Sequence, residues 1–368
     1  MTDTRTEPAA GDDHDDHDDH DDGGDAPSIP RIDAFQRRHR VVGMPLAVFY
    51  KYFDDQGAYL SAIITYYAFV AIFPLLLLST SILGFLLQGD DGLRDTLLDS
   101  ALSQFPIIGT ELGTPNGLQG STTAIVVGAV TALYGAMGLG QALQNAANIA
   151  WSVPRNSRAN PFLLRFRSIV FLSISGIGIL TIAVASSILA NPDAISSELQ
   201  PVIGWVSRIV GFLLIVGIFT AVFRLVSLGR AGIRSVLPGA FVTGLLWQGL
   251  QYVGNTYVRE VIGKANQVNQ TFALVLGLLA FIYVASIMVV LGLEVNVVLR
   301  RHLYPRALLT PFTDNVVLTE ADQRAYSAYA KSQRHKGFQS VEVTFVDSSH
   351  LEHVEPPPPA RDDTRPTP

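Results

Sequence analysis

Thr271–Leu299 reads TFALVLGLLAFIYVASIMVVLGLEVNVVL and contains one charged residue, Glu294. At about 1.5 Å of rise per residue, such a helix is longer than the ~30 Å of hydrocarbon in a bilayer. Lipid offers no water to an open backbone, so a segment this apolar is expected to cross as a helix. Arg300 and Arg301 follow it and mark where the chain meets an aqueous face.

Five more stretches share this character: Ala58–Leu87, Thr122–Ala150, Ser168–Leu189, Ile203–Leu228 and Val236–Val258. The first and last of the six exceed a perpendicular span, which implies tilt or a protruding end, and Pro74 supplies a kink in the first. Arginine and lysine alternate between the connections. They are rich before the first stretch (Arg31, Arg37, Arg38, Arg40, Lys51), in the second connection (Arg155, Arg158, Arg165, Arg167), in the fourth (Arg224, Arg230, Arg234) and at the tail (Arg300, Arg301, Arg306). The first connection sets Arg94 alone against Asp90, Asp91, Asp95, Asp99 and Glu111. Basic loops stay inside, so the reading is an all-α polytopic membrane bundle of six transmembrane helices with cytoplasmic N- and C-termini.

Composition agrees. Across 368 residues, 48% are apolar and 16% charged, against about a quarter charged in ordinary soluble chains. The first thirty residues carry a charge of −10, so the rest carries +4 within the total of −6. That head repeats Asp-Asp-His three times without an apolar residue to bury and is expected to be a disordered tail over 1–30. Residues 31–57, basic and aromatic, suit an interfacial segment. Residues 58–304 form the transmembrane domain. In the first external connection, Leu93, Leu97, Ala101 and Phe105 recur at near-helical spacing and suggest an interfacial helix. Beyond 305 the chain is expected to leave the membrane, with Thr319-Glu-Ala-Asp322 reading as a capping box for a short polar helix to about Arg334 and a disordered end containing Pro356–Pro359. The acidic start lacks the pattern of a cleavable signal, so the first apolar stretch is read as a retained anchor.

Polar residues inside apolar helices mark the bundle interior. Gly244, Gln248, Gln251 and Asn255 share one face of the fifth stretch, and Gln141, Asn145 and Asn148 one face of the second. These amides are candidate linings of a transport route. Glu294 has two readings: an ion pair with an arginine, Arg224 first among them, or a proton or cation site coupled to transport. Tyr59, Tyr66 and Phe73 step by seven and are read as packing, as are Gly128, Gly135, Gly138 and Gly140 in the second stretch.

No cysteine is present, which excludes disulfides and thiolate chemistry. All eight histidines fall outside the spans, so no embedded histidine metal site is expected; His14, His17 and His20 are the one weak option, in a tail that loses entropy with each ligand it fixes. No phosphate-cradling loop, metalloprotease helix or nucleophile elbow appears, which argues against an enzyme, and no cofactor is expected.

Gly57-Ala-Tyr-Leu-Ser-Ala, Tyr66-Tyr67 through Phe73-Pro74-Leu-Leu-Leu-Leu, Val236-Leu-Pro-Gly-Ala with Leu246-Trp247-Gln248, and Ala280–Arg300 with its Leu-Gly-Leu-Glu-Val-Asn follow one another in an order that resembles the YihY/BrkB family of bacterial inner-membrane proteins, once misassigned as ribonuclease BN. The resemblance covers Val48 to Leu303. It implies six helices, cytoplasmic termini and a role in envelope resistance or in export of lipid or solute. The leading expectation is therefore a transporter or lipid translocator whose partners are membrane lipids and an unidentified solute or lipid, without nucleic acid, and with homo-oligomerisation left open. The alternative is a membrane scaffold that recruits partners through its cytoplasmic segments.

Overall fold

The computed structural model describes residues 31–86, 122–158, 200–227, 231–264, 267–308 and 316–345, with a few isolated positions between. Among the described residues all regular structure is helical: α1 (Arg31–Arg38), α2 (Arg40–Asp54), α3 (Gly57–Leu86), α4 (Thr122–Ala150), α5 (Gln200–Val226), α6 (Ile233–Tyr257, extended by a wider turn over Val258–Ile262), α7 (Gln267–Arg301) and α8 (Glu320–Ser332). Helices α3 to α7 fall on five of the six apolar stretches. Ser168–Leu189 lies almost wholly outside the described residues, as do the acidic head, the stretch from Leu93 to Phe105 and the proline-rich end.

Two segments, Arg208–Val226 in α5 and Phe272–Arg301 in α7, are long and apolar enough to cross a membrane. Only 28% and 33% of their apolar windows are buried in the bundle, whereas the core helix of a soluble protein would be mostly buried. Trp205, Ile209, Leu213, Phe241, Leu245, Tyr252, Phe272 and Leu276 are exposed. Apolar surface of this extent needs an apolar solvent, so the protein is a membrane protein.

Small residues set the helix spacing. A side chain at Gly135 of α4 would stand 2.8 Å from the Ala71 backbone of α3, and one at Gly138 would enter the Tyr67 ring. Between α6 and α7 the backbones come closer still, because Gly239 faces the Gly292 carbonyl at a distance that leaves no room for a Cβ. One residue earlier, Pro238 interrupts the hydrogen-bond ladder of α6, and the Gly239 N–H donates to Asn296 Oδ1 at 2.7 Å. Asn296 is thus a lock between helices.

The buried apolar residues form two clusters. One joins Ala47 and Val48 of α2, Ala147 and Trp151 at the end of α4, Val226 at the end of α5 and Ala231 after it, Val297 near the end of α7 and Leu303 after it, and Ala325 of α8. The four basic regions of the sequence therefore meet at one end of the bundle. The other cluster, Leu250, Ile262, Leu278, Phe281 and Ile282, closes the far end between α6 and α7.

Candidate functional site

At the basic end, the C-terminal turn of α2 delivers three charged residues, Lys51, Asp54 and Asp55, to the base of α7. Lys51 lies one helical turn before Asp55, so its ammonium reaches Asp55 Oδ2 at 2.6 Å. The same Nζ stands 3.4 Å from Glu294 Oε2 of α7 and donates to the Tyr329 hydroxyl of α8 at 3.3 Å, with the Tyr329 ring 5.0 Å away. The Lys51 and Asp55 side chains are 2% exposed and Glu294 is wholly buried. Burial alone would strip the proton from Lys51, but the Glu294 and Asp55 carboxylates outweigh it and hold the amine above the ordinary lysine range. Neither Glu294 oxygen accepts a hydrogen bond.

A second centre is built beside the first. Arg306, fully buried, donates from Nε to Asp322 Oδ1 at 2.6 Å and from Nη1 to Asp54 Oδ2 at 2.7 Å, and lies over the Tyr326 ring. Burial disfavours the charge on Arg306, but Asp54 and Asp322 raise its affinity for the proton beyond the ordinary value. Burial likewise pushes the Tyr326 phenol up to about 12. Two adjacent aspartates at a helix C-terminus oppose the helix dipole. Here Asp54 and Asp55 are each matched to a different cation, and that division ties α2 to both α7 and the tail.

The tail packs back onto the bundle. Thr319 caps α8 by accepting from the Asp322 N–H, and its hydroxyl also meets the Pro305 carbonyl at 2.9 Å. Gln36 of α1 donates to the Arg306 carbonyl, and Asp33 accepts from the Leu308 N–H. Arg155 after α4 reaches Gln333, while Arg301 donates to the Trp151 carbonyl. Residues beyond 305 were expected to leave the membrane as a tail with a short helix; that helix, α8, packs on the basic end and brings Asp322 to Arg306 and Tyr329 to Lys51.

The sequence-derived candidates are dispersed. The cation facing Glu294 is Lys51; Arg224, expected there, has an exposed side chain and serves no ion pair with Glu294. Lys51 is nearer in space because α2 folds under α7, a return that charge counting along the chain does not reveal. Gln141 is exposed, Asn148 is buried, and Asn145 is half-buried, accepting from Arg158 at 3.4 Å. On α6, Gly244 faces Val216 of α5, while Gln248 and Asn255 are exposed and Gln251 is half-buried. Helices α4 and α6 share no substantial interface among the described residues, so their amide runs do not converge there. The residues missed were Lys51, Asp55, Arg306 and Tyr329. Their signal was the Lys51–Asp55 spacing and an acidic doublet at the mouth of the first apolar helix. His14, His17 and His20 lie outside the described residues.

A comparison with family models matches residues 48–313 to Virulence factor BrkB. The matched region contains Lys51, Asp54, Asp55, Glu294 and Arg306 and ends before α8. No curated protein and no solved structure matches the chain.

Proposed function

The chain belongs to the virulence factor BrkB family, and on that premise we propose that it is a multi-pass protein of the bacterial inner membrane that moves a solute or lipid, with Lys51, Asp55 and Glu294 as its charged site. The observation that carries this reading is the placement of two carboxylates against one ammonium, all buried, where α7 meets the basic end. Replacing a buried ion group by apolar residues often leaves stability unchanged or improves it, so holding one is better explained by a task than by stability. Six spans with both termini in the cytoplasm are part of the proposal. The convergence of all four basic regions at one end supports it, because positive charge collects on the cytoplasmic side.

The polar faces of α4 and α6 complete the reading, with Gln141, Asn145, Asn148, Gln248, Gln251 and Asn255 as the proposed lining of the route. The test is flux in proteoliposomes, using small ions, a pH gradient and fluorescent lipid with wild type and Glu294→Gln. Movement that the variant loses supports the proposal. No movement of any probe by folded wild-type protein moves the reading to a scaffold, for which the docked tail and its groove of about 570 Å³ beside Glu320, Arg324, Lys331 and Phe345 provide a surface.

A further inference from the structure

Charge balance at the buried site is incomplete. Lys51 brings one positive charge to Asp55 and Glu294, which as carboxylates bring two negative ones. Among the described residues no other cation pairs with either carboxylate, although the Arg301 guanidinium acts on Asp55 through space, and the remaining polar groups have partners of their own. On α2, Asp54 is engaged by Arg306; on α8, the Tyr329 hydroxyl accepts from Lys51; on α7 itself, Arg301 donates to the Trp151 carbonyl and stacks on its ring. Helix α3 presents the hydroxyls of Ser61 and Thr65, bonded to the Gly57 carbonyl and to Ser286. Helix α6 presents Thr243, bonded to the Gly239 carbonyl, and the Gly239 N–H that holds Asn296 of α7; its Arg234 is exposed, and among the described residues none of its titratable side chains pairs with Asp55 or Glu294. A carboxylate with no exposed surface and no hydrogen bond to either oxygen is the most costly group in this set.

Asp55 Oδ2 and Glu294 Oε2 flank the same ammonium nitrogen, at 2.6 and 3.4 Å, so the two carboxylates are close neighbours. Two carboxylates in that relation repel; one carboxylic acid and one carboxylate share a strong O–H···O⁻ bond. We propose that Glu294 and Asp55 bind one exchangeable proton between them, with the Lys51 ammonium as fixed countercharge, so that the ion this site takes is H⁺. On binding, an O–H bond forms at a Glu294 oxygen, the hydrogen bond points to Asp55, and the trio becomes neutral; on release, the proton leaves and the trio carries a charge of −1. A sodium or potassium ion fits less well. Such cations need several oxygens around them, and the ammonium of Lys51 already occupies the space next to Asp55.

The proposal rests on the charged-site reading above, yet its test does not need transport. Purified wild type and Glu294→Gln, each shown to be folded by gel filtration and helical circular dichroism, are titrated in lipid while infrared difference spectra follow the carbonyl stretch of protonated carboxylic acid, in H₂O and D₂O. The expected result is a pH-dependent band in the wild-type minus Glu294→Gln difference that shifts in D₂O and is unchanged when choline replaces sodium and potassium. Identical carboxyl bands in the two proteins at every pH, leaving no such difference, overturn the proposal. Loss of the band on adding sodium or potassium overturns it in favour of a metal cation. A confirmed band together with absent flux sinks only the transport reading.

Discussion

Asp322 holds Arg306 with one carboxylate oxygen at 2.6 Å and closes the N-terminus of α8 with the other, which accepts from the Thr319 N–H at 3.0 Å and from the Ala307 N–H at 2.9 Å. One side chain therefore decides whether the tail helix both forms and docks. Asp322→Ala removes half of a capping box, worth about 1 kcal/mol, and strands a buried guanidinium, for which about 3–5 kcal/mol is the usual cost of breaking a buried pair. The expected outcome is release of α8 with the membrane helices intact. Limited proteolysis should cut within 320–332 in the variant and spare it in wild type; equal resistance of both would show that the cap does not depend on this pair.

The α6–α7 contact makes a contrast between two glycines. A Cβ at Gly239 would overlap the carbonyl oxygen of Gly292, a backbone atom that can move only with its helix. Gly239→Ala is expected to separate the helices, break the bond to Asn296 and lower the yield of folded protein severely. Gly249 on the same helix is exposed and has nothing within 4 Å of where its Cβ would stand, so Gly249→Ala should be neutral or slightly stabilising through helix propensity. Thermal denaturation in detergent, followed by fluorescence-detected gel filtration, compares the two. Asn296→Ala should fall between them, losing about 1–3 kcal/mol for a buried donor left unsatisfied.

Docking of α1 should be acid-sensitive. Burial works against the charge on Asp33, but hydrogen bonds from Arg37, Gln36 and the Leu308 N–H outweigh it and hold the carboxyl below its ordinary value of 3.8. A depressed carboxyl stabilises the folded form fully above the unfolded value and loses that contribution as pH falls through the folded one. Amide exchange across 31–38 should accordingly stay slow down to about 3.8 and quicken only below it. Asp33→Asn should exchange faster at neutral pH and show no such acid step.

The residues explain why the sequence disclosed the helices better than the site. Long apolar runs are local, and α3, α4, α5, α6 and α7 each fall where such a run lies. The Thr319–Asp322 box is equally local and opens α8 as its spacing suggests. Lys51 and Arg306 were legible only as basic residues flanking the membrane segments, because their burial is produced by α2 and the tail folding under the base of α7. Glu294 could be singled out as an acid in an apolar helix, but not its partner: nearness to Lys51 is a property of the fold and not of spacing along the chain. The amides of α6 show the converse, since a shared helical face says which residues travel together and not what they meet.

A last substitution separates a structural from a functional use of the buried charges. Lys51→Met alone leaves Asp55 and Glu294 facing each other without a cation, at a cost of about 3–5 kcal/mol, and is expected to misfold or to lose α8 docking. Combining it with Asp55→Asn and Glu294→Gln removes all three charges while preserving shape, and neutralised trios of this kind are often as stable as the original. The triple variant should therefore regain the thermal stability that the single one loses. If the protein is a transporter using this site, the triple variant remains inactive in proteoliposomes despite being folded. If the charges only position the tail, the triple variant works as well as wild type once α8 is docked, and the charged site is architectural.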